Sequence, residues 1–168
     1  MPAMTDARWI EVEDDVVSAC RHFRNAARLY DEGGFQDKGL NGYKSAMALQ
    51  HAMQSGHTSL EGALKRILEI LDEELPSGAN SHADLIKRVT RPIEVEGHER
   101  PAILSGGVAR DVDESRRFRH RATHDYDSFE AERAEPAIEA ARRLAETLGP
   151  AVEAFKTIID PPSSDWRR

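Results

Sequence analysis

The chain has 168 residues, 39% hydrophobic and 32% charged, with a net charge of −7. That length suits one domain with a real core, and the composition excludes a disordered chain. With no run of eighteen apolar residues, no membrane partnership is expected, and the acid excess argues against coating nucleic acid by charge alone.

A single cysteine, Cys20, excludes an intrachain disulfide and a cysteine-rich zinc site, and it suits a reducing cytoplasm, the expected location. Residues 1–12 lack a basic flank followed by an apolar core, so no secretory signal is expected.

Taken in order, the chain reads as helices. Trp9, Val12, Val16, Cys20, Phe23, Ala27 and Tyr30 recur every three or four residues, the period of an amphipathic helix, which Gly33-Gly34 ends. A second helix is expected over about 42–54, stopping near Gly56. Thr58-Ser59-Leu60-Glu61 has the form of a capping box and predicts a new helix through Leu64, Ile67, Leu68, Leu71 and Leu75, closed by Pro76. His51 and His57 are expected at the surface or at helix ends.

Residues 76–80 have turn composition, and Ser81 is expected to cap a short helix to about Val89. Residues 91–107, with two prolines and three glycines, predict an irregular excursion. A helix from about Asp111 follows. The last helix is expected over about 129–159, capped by Asp127 or Ser128, with Pro136 as a kink or first turn and Pro161-Pro162 as a stop. No alternating β pattern of convincing length and no internal repeat are present. The expected architecture is an all-α bundle, one domain over 1–160 with a tail at 161–168.

The chemistry concentrates at residues 116–126, which hold Arg116, Arg117, Arg119, His120, Arg121, His124 and Tyr126 in an otherwise acidic protein. Arg119, His124 and Tyr126 form the pattern Arg-x4-His-x-Tyr. Five residues separate Arg119 from His124, about 140° around an ideal helix. Joining them on one phosphate requires that the helix end or distort near His124, or that a second copy supply the missing side. Such a pair suits metal-independent RNA cleavage: a neutral histidine takes the 2′-hydroxyl proton and an arginine stabilises charge on the phosphate. The scattered histidines predict no metal site. By spacing alone, an arginine-rich helix is more often a solvated face than a site, here paired with Asp111, Asp113, Glu114 and Asp125.

With polar His120 after the arginine, the pattern resembles the Arg-x4-6-His-x-Tyr signature of HEPN proteins, specifically HepT-like toxins. The similarity extends over about residues 40–158: Thr58-Ser59-Leu60-Glu61 leading into Leu64, Ile67, Ile70 and Leu71, then the 76–80 turn with His82 and Leu85-Ile86, Arg100-Pro101-Ala102, and the long amphipathic stretch to Phe155. The chain departs from its relatives at His57, where an aromatic is common, and at Ser81, where a tryptophan often precedes the histidine.

The resemblance implies an up-and-down HEPN bundle that forms a homodimer, with two signatures facing across a composite cleft. It implies the toxin of a type VII toxin–antitoxin system, an endoribonuclease acting on RNA and neutralised by an MntA-like nucleotidyltransferase antitoxin. That partner would use ATP to place AMP on Tyr126; the chain itself would need no cofactor. By the same resemblance, Arg119 would stabilise the phosphate and His124 would act as acid or base. His120, Arg116 and Arg121 would support them, with Glu11, Glu13, Asp14 and Asp15 as acids available to orient the site. The other reading is a non-catalytic HEPN module that holds a nucleotide or substrate for a partner nucleotidyltransferase.

Overall fold

A computed structural model describes residues 4–124, 127 and 129–162, so Asp125, Tyr126 and Ser128 of the expected site and cap lie outside the described residues. Among the described residues five helices carry the architecture: α1 (Met4–Glu32), α2 (Leu40–Ile70), α3 (Ser81–Thr90), α4 (Gly106–His124) and α5 (Ala131–Ile159). A small antiparallel hairpin, β1 (Ile93–Val95) with β2 (His98–Arg100), sits between α3 and α4. The expected all-α bundle is thus observed, apart from this hairpin.

The apolar stripe of α1 buries Trp9, Val12, Val16, Phe23 and Ala27, as its period requires. The stripe packs against α2 and α5. Its partners run antiparallel to it. Along α2, Ser18 meets Ser59 and Asp15 meets Arg66. Along α5, Glu13 meets Lys156 and Asp31 meets Arg142. Helix α4 packs on α5, α2 and α3, so the core runs through the middle of the four long helices.

The sequence divides α2 in two, whereas the structure has one unbroken helix. The reason lies in Gly56. A methyl group there would come within 2.8 Å of the buried Phe23 ring, so the glycine permits close approach of α1 rather than ending the helix. The presumed capping box is consequently mid-helix. Ser59 bonds to Ser18 across to α1 at 3.1 Å, and Glu61 turns toward histidines and an arginine. The helix ends at Ile70, short of Leu75, where Asp72 takes a left-handed φ of 58°.

The irregular excursion contains the hairpin, whose three-residue strands fall below the length at which alternation is visible in a sequence. Gly97, at φ 85°, forms its turn. Arg100 fixes it from inside: its guanidinium binds the buried Glu73 carboxylate and the carbonyls of Arg88, Arg91 and Pro101.

Helix α4 begins at Gly106, five residues before the expected start. Asn80, not Ser81, is the N-terminal boundary residue of α3, and Glu130, not Asp127, that of α5, both without a side-chain cap bond. Pro136 and Pro150 both lie inside α5.

Candidate functional site

The site forms where α4 crosses α2 and the amino end of α3 abuts both. Its centre is Glu61, on the buried face of α2 with a side chain only 7% exposed. A carboxylate taken out of water this far requires compensating donors. Three supply them. His82, on the first turn of α3, brings Nδ1 to 2.5 and 2.7 Å from the two carboxylate oxygens. Arg119 donates from Nη1 at 3.2 Å. His57, one turn before Glu61 on α2, places Nε2 at 3.4 Å.

The expectation that His57 lies at the surface or a helix end is incorrect. Its side chain is 1% exposed, and Nδ1 lies 2.7 Å from the Ser115 hydroxyl of α4. Ser115 Oγ also lies 2.8 Å from the Val112 carbonyl, and its single proton serves one of the two acceptors. Burial pushes the His57 pKa down despite the opposing pull of Glu61. The neutral ring compatible with an ionised Glu61 carries its proton on Nε2 and accepts from Ser115 at Nδ1. Serine, histidine and acid thus form a chain like a hydrolase triad, but Ser115 is fully buried and no substrate reaches it.

Burial alone would raise the Glu61 pKa. The hydrogen bond and electrostatic pull of His57, then those of His82, overcome it and hold the carboxyl at about 2.

Beyond Arg119 opens a cleft of about 370 Å³ lined by Asn80, His82, Arg116, Arg119, His120 and His124. Arg119 and His124 therefore share one cleft within a single chain, although an ideal helix separates them by 140°. Both lie on α4, whose described extent runs from Gly106 to His124. The His120 and His124 rings lie 4.4 Å apart between centroids. Because α3 enters through its first turn, the positive end of its dipole also faces the cleft. Charge and hydrogen-bond donors thus suit an anion.

Two expected supporters differ from this picture. Arg121 lies outside the cleft and lines a separate pocket with Gln50, Phe118 and Phe129. Arg116 reaches the cleft, but its Nε binds Asp113 at 2.8 Å, one turn back on its own helix. Three of the four expected acids of α1 are engaged elsewhere: Glu11 and Asp15 hold Arg66, and Glu13 holds Lys156. The acid that orients Arg119 is Glu61, which no local pattern marks, because 58 residues separate the two. Tyr126 lies outside the described residues. Among the described residues no group of three or more His, Cys, Asp or Glu could hold a metal ion, and no helix is long and apolar enough to cross a membrane.

A helical bundle with an arginine–histidine signature on one of its helices is the arrangement of a HEPN-type domain. Residues 48–159 match the family described as HepT-like protein, and the chain belongs to that family, within the HEPN superfamily. Comparison with curated proteins and with solved structures returns no significant match.

Proposed function

We propose that this HepT-like protein is the ribonuclease toxin of a type VII toxin–antitoxin pair. The observation that carries the reading is the shared cleft of Arg119, His120 and His124, with Arg119 held in place by buried Glu61. An arginine fixed by a carboxylate behind it presents its remaining donors to a phosphate without losing rotamer freedom on binding. His124 takes the proton of the ribose 2′-hydroxyl, that oxygen attacks phosphorus, and Arg119 stabilises the charge building on the non-bridging oxygens. The step uses the 2′-hydroxyl, so RNA is the substrate and DNA resists cleavage. Two copies pair as a homodimer with their clefts joined. An MntA-like nucleotidyltransferase antitoxin spends ATP to place AMP on Tyr126, whose phosphate then competes with the RNA backbone for the same cations.

The test incubates wild-type protein and His124→Ala with cellular RNA in the presence of a chelator. Wild type is expected to degrade the RNA and the variant to leave it intact. Equal integrity in both, with no growth defect on expression, sinks the nuclease reading and leaves a binding module. In the same preparation, incubation with the antitoxin and ATP is expected to raise the intact mass by AMP units, with no change in Tyr126→Phe.

A further inference from the structure

Cleaving a phosphodiester through the 2′-hydroxyl requires two proton transfers, one from the attacking oxygen and one to the departing 5′-oxygen. Arg119 can perform neither, because a guanidinium does not give up its proton in a protein. His124 accounts for one. The cleft holds another histidine outside the signature, and its environment differs from that of its neighbours.

His82 comes from α3, not α4, and its side chain is 47% exposed while lining the cleft. Its Nδ1 faces both oxygens of Glu61, at 2.5 and 2.7 Å. An ionised carboxylate accepts only, so Nδ1 carries a hydrogen and donates. That fixes the ring edge-on and leaves Nε2 as the nitrogen on the open side. A histidine whose rear nitrogen is anchored on a buried carboxylate is a recurrent way of orienting a proton-transfer group. His120 has a different surrounding, its ring tilted at 58° against that of His124.

We propose that His82 is the general acid that protonates the leaving 5′-oxygen, opposite His124 as base, with Glu61 as the positioning residue behind it. This rests on the ribonuclease reading given above. The 2′-oxygen loses its proton to His124 and bonds to phosphorus. The bond from phosphorus to the 5′-oxygen breaks, its electron pair staying on that oxygen, which takes the Nε2 proton of His82. The products are a 2′,3′-cyclic phosphate and a 5′-hydroxyl; His82 ends neutral with Nδ1–H still on Glu61. Glu61 thereby serves two groups at once, steering Arg119 and the acid with one carboxylate.

The experiment compares two short RNA substrates, one with an ordinary linkage and one whose bridging 5′-oxygen is replaced by sulfur, a leaving atom that departs without protonation. His82→Ala is expected to slow cleavage of the ordinary linkage roughly hundredfold or more while cleaving the sulfur-bridged one at nearly the wild-type rate. His82→Gln, which keeps a donor for Glu61 but cannot shuttle a proton, is expected to behave the same way. Rescue by sulfur cannot come from a misfolded variant, since such a protein cleaves neither substrate. An unchanged rate on the ordinary linkage overturns the assignment, as does an equal loss on both substrates or rescue in His120→Ala instead. If wild type cleaves neither substrate, the ribonuclease reading itself fails, an outcome distinct from the others.

Discussion

Glu61 carries one negative charge and is shared by His57, His82 and Arg119, so its removal leaves Arg119 without its counter-charge and both histidines without their acceptor. Arg119 and His82 are partly hydrated, which limits the cost, and Glu61→Gln is expected to destabilise the fold by about 1–3 kcal/mol. The pH dependence has a definite sign. The carboxyl lies at about 2 in the fold against an ordinary 4.5, a depressed value. Its contribution is therefore fully present above pH 4.5 and lost as pH falls toward 2, because the unfolded chain takes the proton first. Thermal melting across that window is expected to fall more steeply for wild type than for Glu61→Gln; parallel curves refute the assignment. Little of this was legible beforehand. The motif residues Arg119, His120 and His124 stand together in sequence and are found together in space. Glu61 sits in a four-residue stretch that satisfies a capping pattern, and its true partners lie 21 and 58 residues away. Local spacing carries no information about them.

At the level of elements, α2 shows why a glycine misleads. In sequence, Gly56 reads as a stop because glycine is a poor helix former, yet here it admits the Phe23 ring. Gly56→Ala separates the two roles. Helix propensity alone would gain up to about 1 kcal/mol, whereas overpacking against a fully buried ring costs about 1–3 kcal/mol. The expected net effect is a lower midpoint in chemical denaturation, relieved when Phe23→Leu is added; a more stable single variant shows that Gly56 is only a weak link. The hairpin depends on a different device. Glu73 and Arg100 have side chains 5% and 1% exposed, and removing Arg100 strips the buried carboxylate of its closest cation and leaves it only the longer contacts to His98 at 3.3 Å and Arg88 at 3.8 Å. Arg100→Ala is expected to cost about 3–5 kcal/mol and to release the β1 and β2 amides to hydrogen exchange first. Protection of those amides equal to wild type excludes the clamp. The long helices themselves follow from three-and-four periodicity, which is why α1 and α5 are readable to within a few residues while a two-strand hairpin is not.

The whole molecule poses the question of whether one chain suffices. Arg119 and His124 of one chain line a single cleft, so the geometric reason to invoke a second copy is weaker than their spacing suggests. The cleft nevertheless faces outward, and an isologous pairing would bring two copies of Arg119, His120 and His124 around one RNA strand. Mixing inactive variants decides between a private and a shared site. Arg119→Ala lacks the phosphate clamp and His124→Ala lacks the base; neither alone is expected to cleave. In a shared cleft, a mixed pair draws Arg119 from one chain and His124 from the other, so co-refolding the two variants is expected to restore ribonuclease activity well above their sum. That activity should fall on dilution as the pair dissociates. If the variants form mixed dimers, shown by mass, and no activity returns, then each chain works with its own Arg119 and His124, and pairing serves only to hold the fold or the antitoxin.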